Sequence, residues 1–344
     1  NPVLAAFGLN EDSEIKPFGK GLINTTWQVE SDGAQYILQR VNTSVFDRPG
    51  DIDHNIGCVK DYLDARHPHY LFIAPLQAVN GDRIINIGDG GHFRLFPFVP
   101  GSKSREVATA ATEAFEAARQ FGRLTSLTAG LDVQQLRTTI PGFHNLALRY
   151  EQFLQSVQQG DPDRIRNAGP LISELLAKAG IVDIYHDITN DYQFRLRVTH
   201  HDTKISNVLF DDEGRGLCVI DLDTIMPGYF ISDVGDMMRT FLSPVSEEEA
   251  DFNKIVVRKE FYAAIVQGYL SEMERVLTEK ERAHFFYAGQ CMIFMQALRF
   301  LTDYLHGDVY YPVNRAHHNL LRAGNQVTLL KRLEEKREDL MAVG

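Results

Sequence analysis

The segment Arg197-Val-Thr-His-His-Asp-Thr-Lys-Ile-Ser-Asn-Val-Leu209 and the later Ile220-Asp-Leu-Asp223 gather the residue types best suited to chemistry in this chain. His200 stands two positions before Asp202, and Asn207 stands five after it. An apolar run and the turn Asp211-Asp-Glu-Gly214 then lead to a second carboxylate, Asp221. Carboxylates at 202 and 221 with an amide at 207 supply hard oxygen donors for a divalent cation such as magnesium, and a carboxylate can also accept the proton of an alcohol. That combination suits phosphoryl transfer. An isolated Asp-x4-Asn would be read as turn capping. The preceding histidine and the second aspartate, delivered by a following strand, are what favour chemistry.

Short strands must position these groups. Arg197 to Thr199, Val208 to Phe210 and Leu217 to Ile220 read as a β island inside an otherwise helical region. Upstream, β-rich runs alternate with turn signals and predict five antiparallel strands at 26–30, 36–41, 71–79, 83–87 and 93–98. The first two form a hairpin across Ser31-Asp-Gly33. Ile52, Ile56, Val59 and Leu63 recur at helical spacing and predict one helix over 51–67. After Pro97-Phe-Val-Pro-Gly101 the period lengthens to 3.6, which sets a boundary between residues 1–98 and 99–344. Helices are expected over 108–127, over 170–178 with Gly180 closing, beyond a capping box at Ser246-Glu-Glu-Glu249, and over 281–305 and 319–341. The mixed charges from Lys331 to Asp339 fit a solvated helix face. The class is α+β.

Composition narrows the partners. With 344 residues, 44% hydrophobic and 24% charged, the chain is an ordinary globular one, without repeats or low-complexity segments. Thirty-five Lys and Arg against forty-six Asp and Glu leave a net charge of −11, which repels polyphosphate backbones and anionic bilayers. Neither nucleic acid nor membrane is an expected partner. Cys58, Cys218 and Cys291 are few, odd in number and far apart, consistent with three buried thiols in a reducing compartment. No apolar run is long enough to span a bilayer, and the start lacks the layout of a signal peptide, so the expected location is the cytoplasm. The expected oligomeric state is a monomer or a weak dimer.

The order His-x-Asp-x4-Asn followed by a later Asp is also that of protein kinases, where the first Asp is the base and the Asn and second Asp are metal ligands. More specifically, the chain resembles the aminoglycoside-phosphotransferase-like kinase superfamily and, within it, the N-acetylhexosamine 1-kinase family. The stretches that carry this likeness are Ile23-Asn-Thr-Thr-Trp27, Tyr36-Ile-Leu-Gln-Arg-Val-Asn-Thr-Ser-Val-Phe46, the catalytic segment 197–209, Ile220-Asp-Leu-Asp-Thr-Ile-Met-Pro-Gly228, Arg299-Phe-Leu-Thr-Asp-Tyr-Leu305 and Gly307-Asp-Val-Tyr310. They extend from near residue 18 to about 326.

The resemblance implies a two-lobed protein-kinase-like fold, with a small antiparallel β lobe that binds nucleotide and a larger helical lobe with the catalytic loop and sugar pocket. It implies ATP and Mg2+ as cofactors and direct in-line transfer to the anomeric hydroxyl of N-acetylglucosamine or N-acetylgalactosamine. Asp202 would be the catalytic base, in contact with the acceptor hydroxyl, and Asn207 and Asp221 the metal ligands. Gly19, Gly21, Asn24 and Thr25 would cradle nucleotide phosphates, and Phe96, Phe98 and Val99 would flank adenine. Asp223, Thr224, Arg299 and Tyr310 would contact the sugar.

Four alternatives stay open at this level. Strand alternation puts Gln39 and Arg40 on opposite faces, so one of them reaches the phosphates; charge favours Arg40 and alignment favours Gln39. The lysine and glutamate pair of other kinases is absent, since 51–67 contains no Glu. His200 either braces the catalytic loop or takes part in chemistry, and His201 has no assigned role. Arg299 contacts sugar or pairs with Asp303 one helical turn on. Asp233 caps a helix or, with Asp236, belongs beside the site. The rival functions are a kinase of homoserine, choline or ethanolamine, a thio-sugar or an aminoglycoside, and a nucleotide-binding scaffold without turnover.

Overall fold

The computed structural model describes residues 1–19 and 23–343. The chain divides into two compact units: Asn1–Lys103 with Gly130–Pro141 and Leu209–Pro227, and Ser104–Ala129 with Gly142–Val208 and Gly228–Gly344. The first unit thus begins with the β-rich region foreseen in the sequence and also takes in two later segments.

In the first unit, helix α1 (Pro2–Ala6) precedes strands β1 (Glu14–Pro17), β2 (Thr25–Ser31) and β3 (Ala34–Val41). Helix α2 (Pro49–Arg66) and strands β4 (Ile85–Asn86) and β5 (His92–Pro97) follow. The five strands form one antiparallel sheet in the order β1-β2-β3-β5-β4. Asp32 (φ 52°) and Gly33 (φ 78°) make the tight β2–β3 turn, because a two-residue hairpin loop of this hand needs two positive φ values. Val29, Leu38 and Leu95 point to one sheet face, where they pack with Val3, Leu4, Ala78 and Ile85. By alternation Thr26, Gln39 and Arg94, paired across β2, β3 and β5, share the other. In α2, Ile52, Ile56, Val59 and Leu63 are buried as the stripe predicts.

Two strand expectations differ from the structure. Residues 71–79 form no strand: Pro75 has no N–H, and the flanking amides go singly to scattered acceptors, Leu76 to Leu95 O and Val79 to Ala6 O. The sheet gains β1 instead, a short edge strand whose charged, mostly exposed residues carry no alternating signal.

The second unit contains α3 (Ala111–Leu127), α4 (Leu146–Gln159), α5 (Pro162–Leu176), α6 (Gly180–Asn190) and strand β6 (Arg197–Thr199). The short strands β7 (Val208–Phe210) and β8 (Gly216–Val219), which apart from Val208 belong to the first unit, pair as a hairpin. Helices α7 (Phe230–Phe241), α8 (Lys259–Met273), α9 (Glu279–Arg282), α10 (Phe285–Leu305), α11 (His318–Glu335) and α12 (Arg337–Met341) complete the chain. Helices α3 and α8 approach closely because Gly122 faces the backbone of Tyr269 while Gly268 faces that of Phe115; a side chain at either glycine would collide.

Here too the sequence and the structure differ in places. Helix α5 starts at Pro162, capped by Asp161, and carries Pro170 in its interior, while Gly180 opens α6 rather than closing a helix. Ser246 nucleates a turn and no α-helix follows it, because Glu248 is drawn to His318 and Arg322. The last predicted helix breaks at Lys336. Cys218 and Cys291 are buried free thiols, whereas Cys58 is only partly buried, its Sγ 3.5 Å from His54 Nε2. No helix among the described residues is long and apolar enough to cross a membrane.

Candidate active site

Strand β6 is fully buried and feeds directly into the loop His200 to Asn207. Two carboxylates from α7 fix the backbone of this loop. Asp233 Oδ2 accepts the His200 N–H (3.0 Å) and its Oδ1 that of His201 (2.8 Å), while Asp236 Oδ2 accepts that of Thr203 (2.8 Å). Thr203 Oγ1 donates to Asp233 O (2.8 Å). Residues three apart on a helix share a face, which is how both carboxylates reach one loop. The capping reading of Asp233 is therefore replaced: α7 starts after Tyr229, and Asp233 lies inside it. Asp236 also holds Arg239 (Nε 3.0 Å), which pairs in turn with Glu247 (2.8 Å). Burial pushes the Asp233 carboxyl up to about 6.

Asp202 lies in the middle of the pinned loop with 22% of its side chain exposed. Asn207 Nδ2 donates to Asp202 Oδ2 (3.0 Å) and to its backbone O (2.8 Å), and Lys204 Nζ lies 2.9 Å from Asp202 Oδ1. Burial alone would raise the Asp202 pKa. The charge and hydrogen bond of Lys204, the charge of His200 and the bond from Asn207 outweigh it and hold the carboxyl below its ordinary value. It is a permanent proton acceptor at neutral pH. His200 acts as a brace: its ring meets Phe121 edge-on at 5.1 Å, and its Nδ1 receives the Asp202 N–H at 3.3 Å. His201 has φ 66° and its Nδ1 is 3.0 Å from Thr199 O.

In the first unit, the polar sheet face carries a second network. Arg94 on β5 donates from Nε (3.1 Å) and Nη2 (2.8 Å) to Gln39 Oε1, and Gln39 Nε2 donates to Thr26 Oγ1 (3.3 Å). Arg94 Nη1 lies 2.5 Å from Asp223 Oδ1. Asn24 Nδ2 donates to Asp223 Oδ2 (2.8 Å), and Asn24 Oδ1 accepts the Asn42 N–H (3.0 Å). One buried guanidinium thus joins Gln39 and Asp223, and through Asp223 also Asn24. It sits 5.0 Å from the Phe96 ring centroid. Arg94 was not singled out in the sequence, although its place between Phe93 and Leu95 on a strand already turned it away from the core.

The neighbouring predicted residues are placed as follows. Arg40 is exposed on the opposite face, its side chain beside Gly91. Thr25 is exposed and pairs across the sheet with Arg40. Gly19 takes φ 73° past the end of β1, with open space around it. Gly21 lies outside the described residues. Phe98 meets Phe18 edge-on at 6.3 Å, and the Val99 carbonyl accepts from Ser102 N (3.3 Å) and Oγ (2.7 Å). Asp221 follows β8, exposed and left-handed at φ 59°, ψ 62°. Thr224, in the short turn after it, is buried. Asn55 of α2, unmarked in the sequence, anchors the end of this turn by donating to Ile225 O (2.8 Å) and Arg137 O (2.7 Å).

Arg299 and Tyr310 belong to the second unit. Arg299 does not pair with Asp303. Instead Asp303 accepts the N–H groups of Val309 (2.9 Å), Tyr310 (2.8 Å) and Tyr311 (2.9 Å) and an Asn319 amide hydrogen (2.9 Å). Arg299 Nη1 donates to Gln296 Oε1 (3.2 Å), and its guanidinium lies 5.4 Å from the Phe143 and 5.6 Å from the Tyr311 ring centroid. Tyr310 is 64% exposed.

Solved structures share this fold. An amicoumacin kinase in complex with AMP-PNP and Ca2+ aligns with a TM-score of 0.61 at 17% identity, over 98% of this chain and 91% of that one. A microcompartment-associated aminopropanol kinase aligns at 0.60 and 15% identity, over 100% and 98%. An aminoglycoside phosphotransferase from Alicyclobacillus acidocaldarius gives 0.62 and 11%, over 97% and 94%. Residues 14–279 match the phosphotransferase enzyme family (APH), to which this chain belongs.

Proposed function

We propose that this phosphotransferase moves the γ-phosphoryl group of ATP, with Mg2+, to the anomeric hydroxyl of an N-acetylhexosamine, giving the sugar 1-phosphate. The observation that carries the reading is the ionised Asp202, clamped by Asn207 and Lys204 on a loop whose amides are tied to α7. Asp202 accepts the proton of the attacking hydroxyl. A base held below its ordinary pKa is always available, and positioned proton acceptance is worth roughly 10² to 10⁴ in rate.

Bound Mg2+ and ATP supply the phosphoryl group and neutralise its charge. By the chemistry of their oxygens, Asn207 and Asp221 would hold such a cation. Asn207 commits Nδ2 to Asp202 and keeps Oδ1, and Asp221 adds a carboxylate. Among the described residues no cluster of three or more His, Cys, Asp or Glu is set to hold a metal, which agrees with an ion that takes one or two protein ligands and completes its shell with phosphate oxygens and water. Gln39 rather than Arg40 is assigned to the phosphates, because it shares a sheet face with Arg94 and Thr26. Gly19 and Thr25 would contact the phosphates, and Phe96, Phe98 and Val99 would flank the adenine. Asp223 positions Asn24 and the turn holding Asp221. Arg299, Tyr310 and Thr224 are the proposed sugar contacts.

Phosphorus NMR of the products from ATP with N-acetylglucosamine and N-acetylgalactosamine tests the assignment. A sugar 1-phosphate supports it; a 6-phosphate, or turnover of an amino alcohol alone, overturns it. The fold shared with an aminopropanol kinase favours the second reading, a kinase of another small alcohol.

A further inference from the structure

Asp221 is an exposed, left-handed aspartate at the head of a buried turn. None of Leu222, Asp223, Thr224 and Ile225 is more than 8% exposed, and the Ile225 N–H closes the turn on Leu222 O (3.2 Å). A residue other than glycine stays at positive φ only where the surrounding structure over-determines the backbone. Three elements of the first unit do so here. Arg94 of β5 and Asn24, just before β2, hold the side chain of Asp223, whereas Asn55 of α2 grips the main chain at Ile225 O (2.8 Å). Asn55 is wholly buried. Its Nδ2 also donates to Arg137 O (2.7 Å) and its Oδ1 accepts the Arg137 N–H (2.8 Å), so the amide cannot swing without breaking these bonds. One helical turn earlier on α2, Asp51 pairs with Arg137 Nη1 (2.8 Å), a second tie between this helix and the same segment.

Helix α2 and the turn after β8 are thus coupled through one buried amide. We infer that Asn55 is a positioning residue for the divalent cation: through Ile225 O it relays the placement of α2 to the turn and keeps Asp221 in the left-handed state in which its carboxylate serves as a ligand. Helix α2 has no glutamate to offer a strand cation. In this chain it acts on the second carboxylate of the site through an amide instead. The inference rests on the reading of Asp221 as a cation ligand. Groups that orient a ligand without touching the metal change metal affinity about 10- to 100-fold when removed, and that is the scale expected here.

Calorimetric titrations of the full chain with AMP-PNP, once with Mn2+ and once with EDTA, give the ratio of affinities that the metal creates. Asn55→Ser, whose hydroxyl is too short to reach Ile225 O, lowers that ratio about tenfold or more, while binding of metal-free AMP-PNP stays within about threefold of wild type. Asp221→Asn lowers the ratio as well, and the double variant falls no further than Asp221→Asn alone, because Asn55 acts only through Asp221. An Asn55→Ser ratio within about threefold of wild type, or losses that add in the double variant, overturns the inference. A wild-type ratio in Asp221→Asn sinks the ligand assignment and the inference with it, whereas the position of the phosphate on the product judges the sugar reading separately. Amide hydrogen exchange of the unsubstituted, metal-free chain gives a readout that needs no variant to fold. There the Ile225 N–H is protected to within about tenfold of the Ile56 and Val59 N–H groups in α2, and weaker protection, a turn that α2 does not hold, overturns the inference.

Discussion

Arg94 and Asp223 form an ion pair of 2.5 Å in which 1% and 3% of the two side chains are exposed. Neither charge has water to fall back on, so each depends on the other, and Gln39 and Asn24 depend on both. The usual strand lysine and helix glutamate are missing from this chain; here the buried cation comes from β5 and its carboxylate from the turn after Asp221.

Removing Arg94 alone should be costly. Arg94→Met leaves Asp223 buried and unpaired, a loss of about 3–5 kcal/mol, while Arg94→Met with Asp223→Leu regains most of that stability. Urea unfolding measures the difference. In both variants the KM for ATP rises, since Asn24 and Gln39 lose their anchor; a double variant with ordinary ATP kinetics would show the pair to be scaffolding only.

Asp202→Asn is expected to lower kcat by roughly 10² to 10⁴ while ATP still binds in a calorimetric titration. The pH profile gives a finer test. Lys204 holds the Asp202 carboxyl down against burial, so Lys204→Met moves the acid limb of kcat/KM to higher pH. An acid limb that stays in place would remove Lys204 from this role.

Asp233 should leave a mark on stability. A carboxyl whose folded pKa is raised from 3.8 to about 6 holds its proton more tightly in the fold than in the unfolded chain. Its contribution therefore falls as pH rises through that window, by about 3 kcal/mol in all, and is constant above it. Asp233→Asn abolishes this component, read as the difference between wild-type and variant unfolding free energies from pH 4 to 7. Activity falls as well, because His200 and His201 donate to different oxygens of Asp233 and an asparagine replaces one of them with an NH2 donor.

Gly228→Ala probes the loop from its far side. A Cβ there would stand 2.5 Å from His201 Nε2 and 2.9 Å from Thr199 Oγ1. The expected loss is about 1–3 kcal/mol in stability, seen by thermal unfolding, and about tenfold in kcat. Full activity would mean that the ring of His201 can move without disturbing Asp202.

The sequence announced features whose signal is local. Asp32-Gly33 specified its hairpin, the stripe from Ile52 to Leu63 specified α2, and the spacing of Asp202 and Asn207 specified a real hydrogen bond. Features fixed by distant partners stayed hidden. Nothing beside Arg94 names Asp223, and nothing beside Asn55 names Ile225. Ser246-Glu-Glu-Glu249 had the grammar of a helix start, yet Glu248 found stronger partners in His318 and Arg322. Residues 71–79 had strand composition, and one proline kept them out of the ladder.

The amides of residues 309–311 hang from Asp303, which lies in α10 and outside the loop, while Asp308 and Tyr311 tie the loop to Asn319 and Gln296; the exposed side chains of Val309 and Tyr310 carry none of these bonds. Val309 and Tyr310 can be exchanged without remaking the backbone beneath them. On the proposed role of Tyr310, a new acceptor preference arises in such a chain through one or two substitutions there, with the scaffold inherited unaltered.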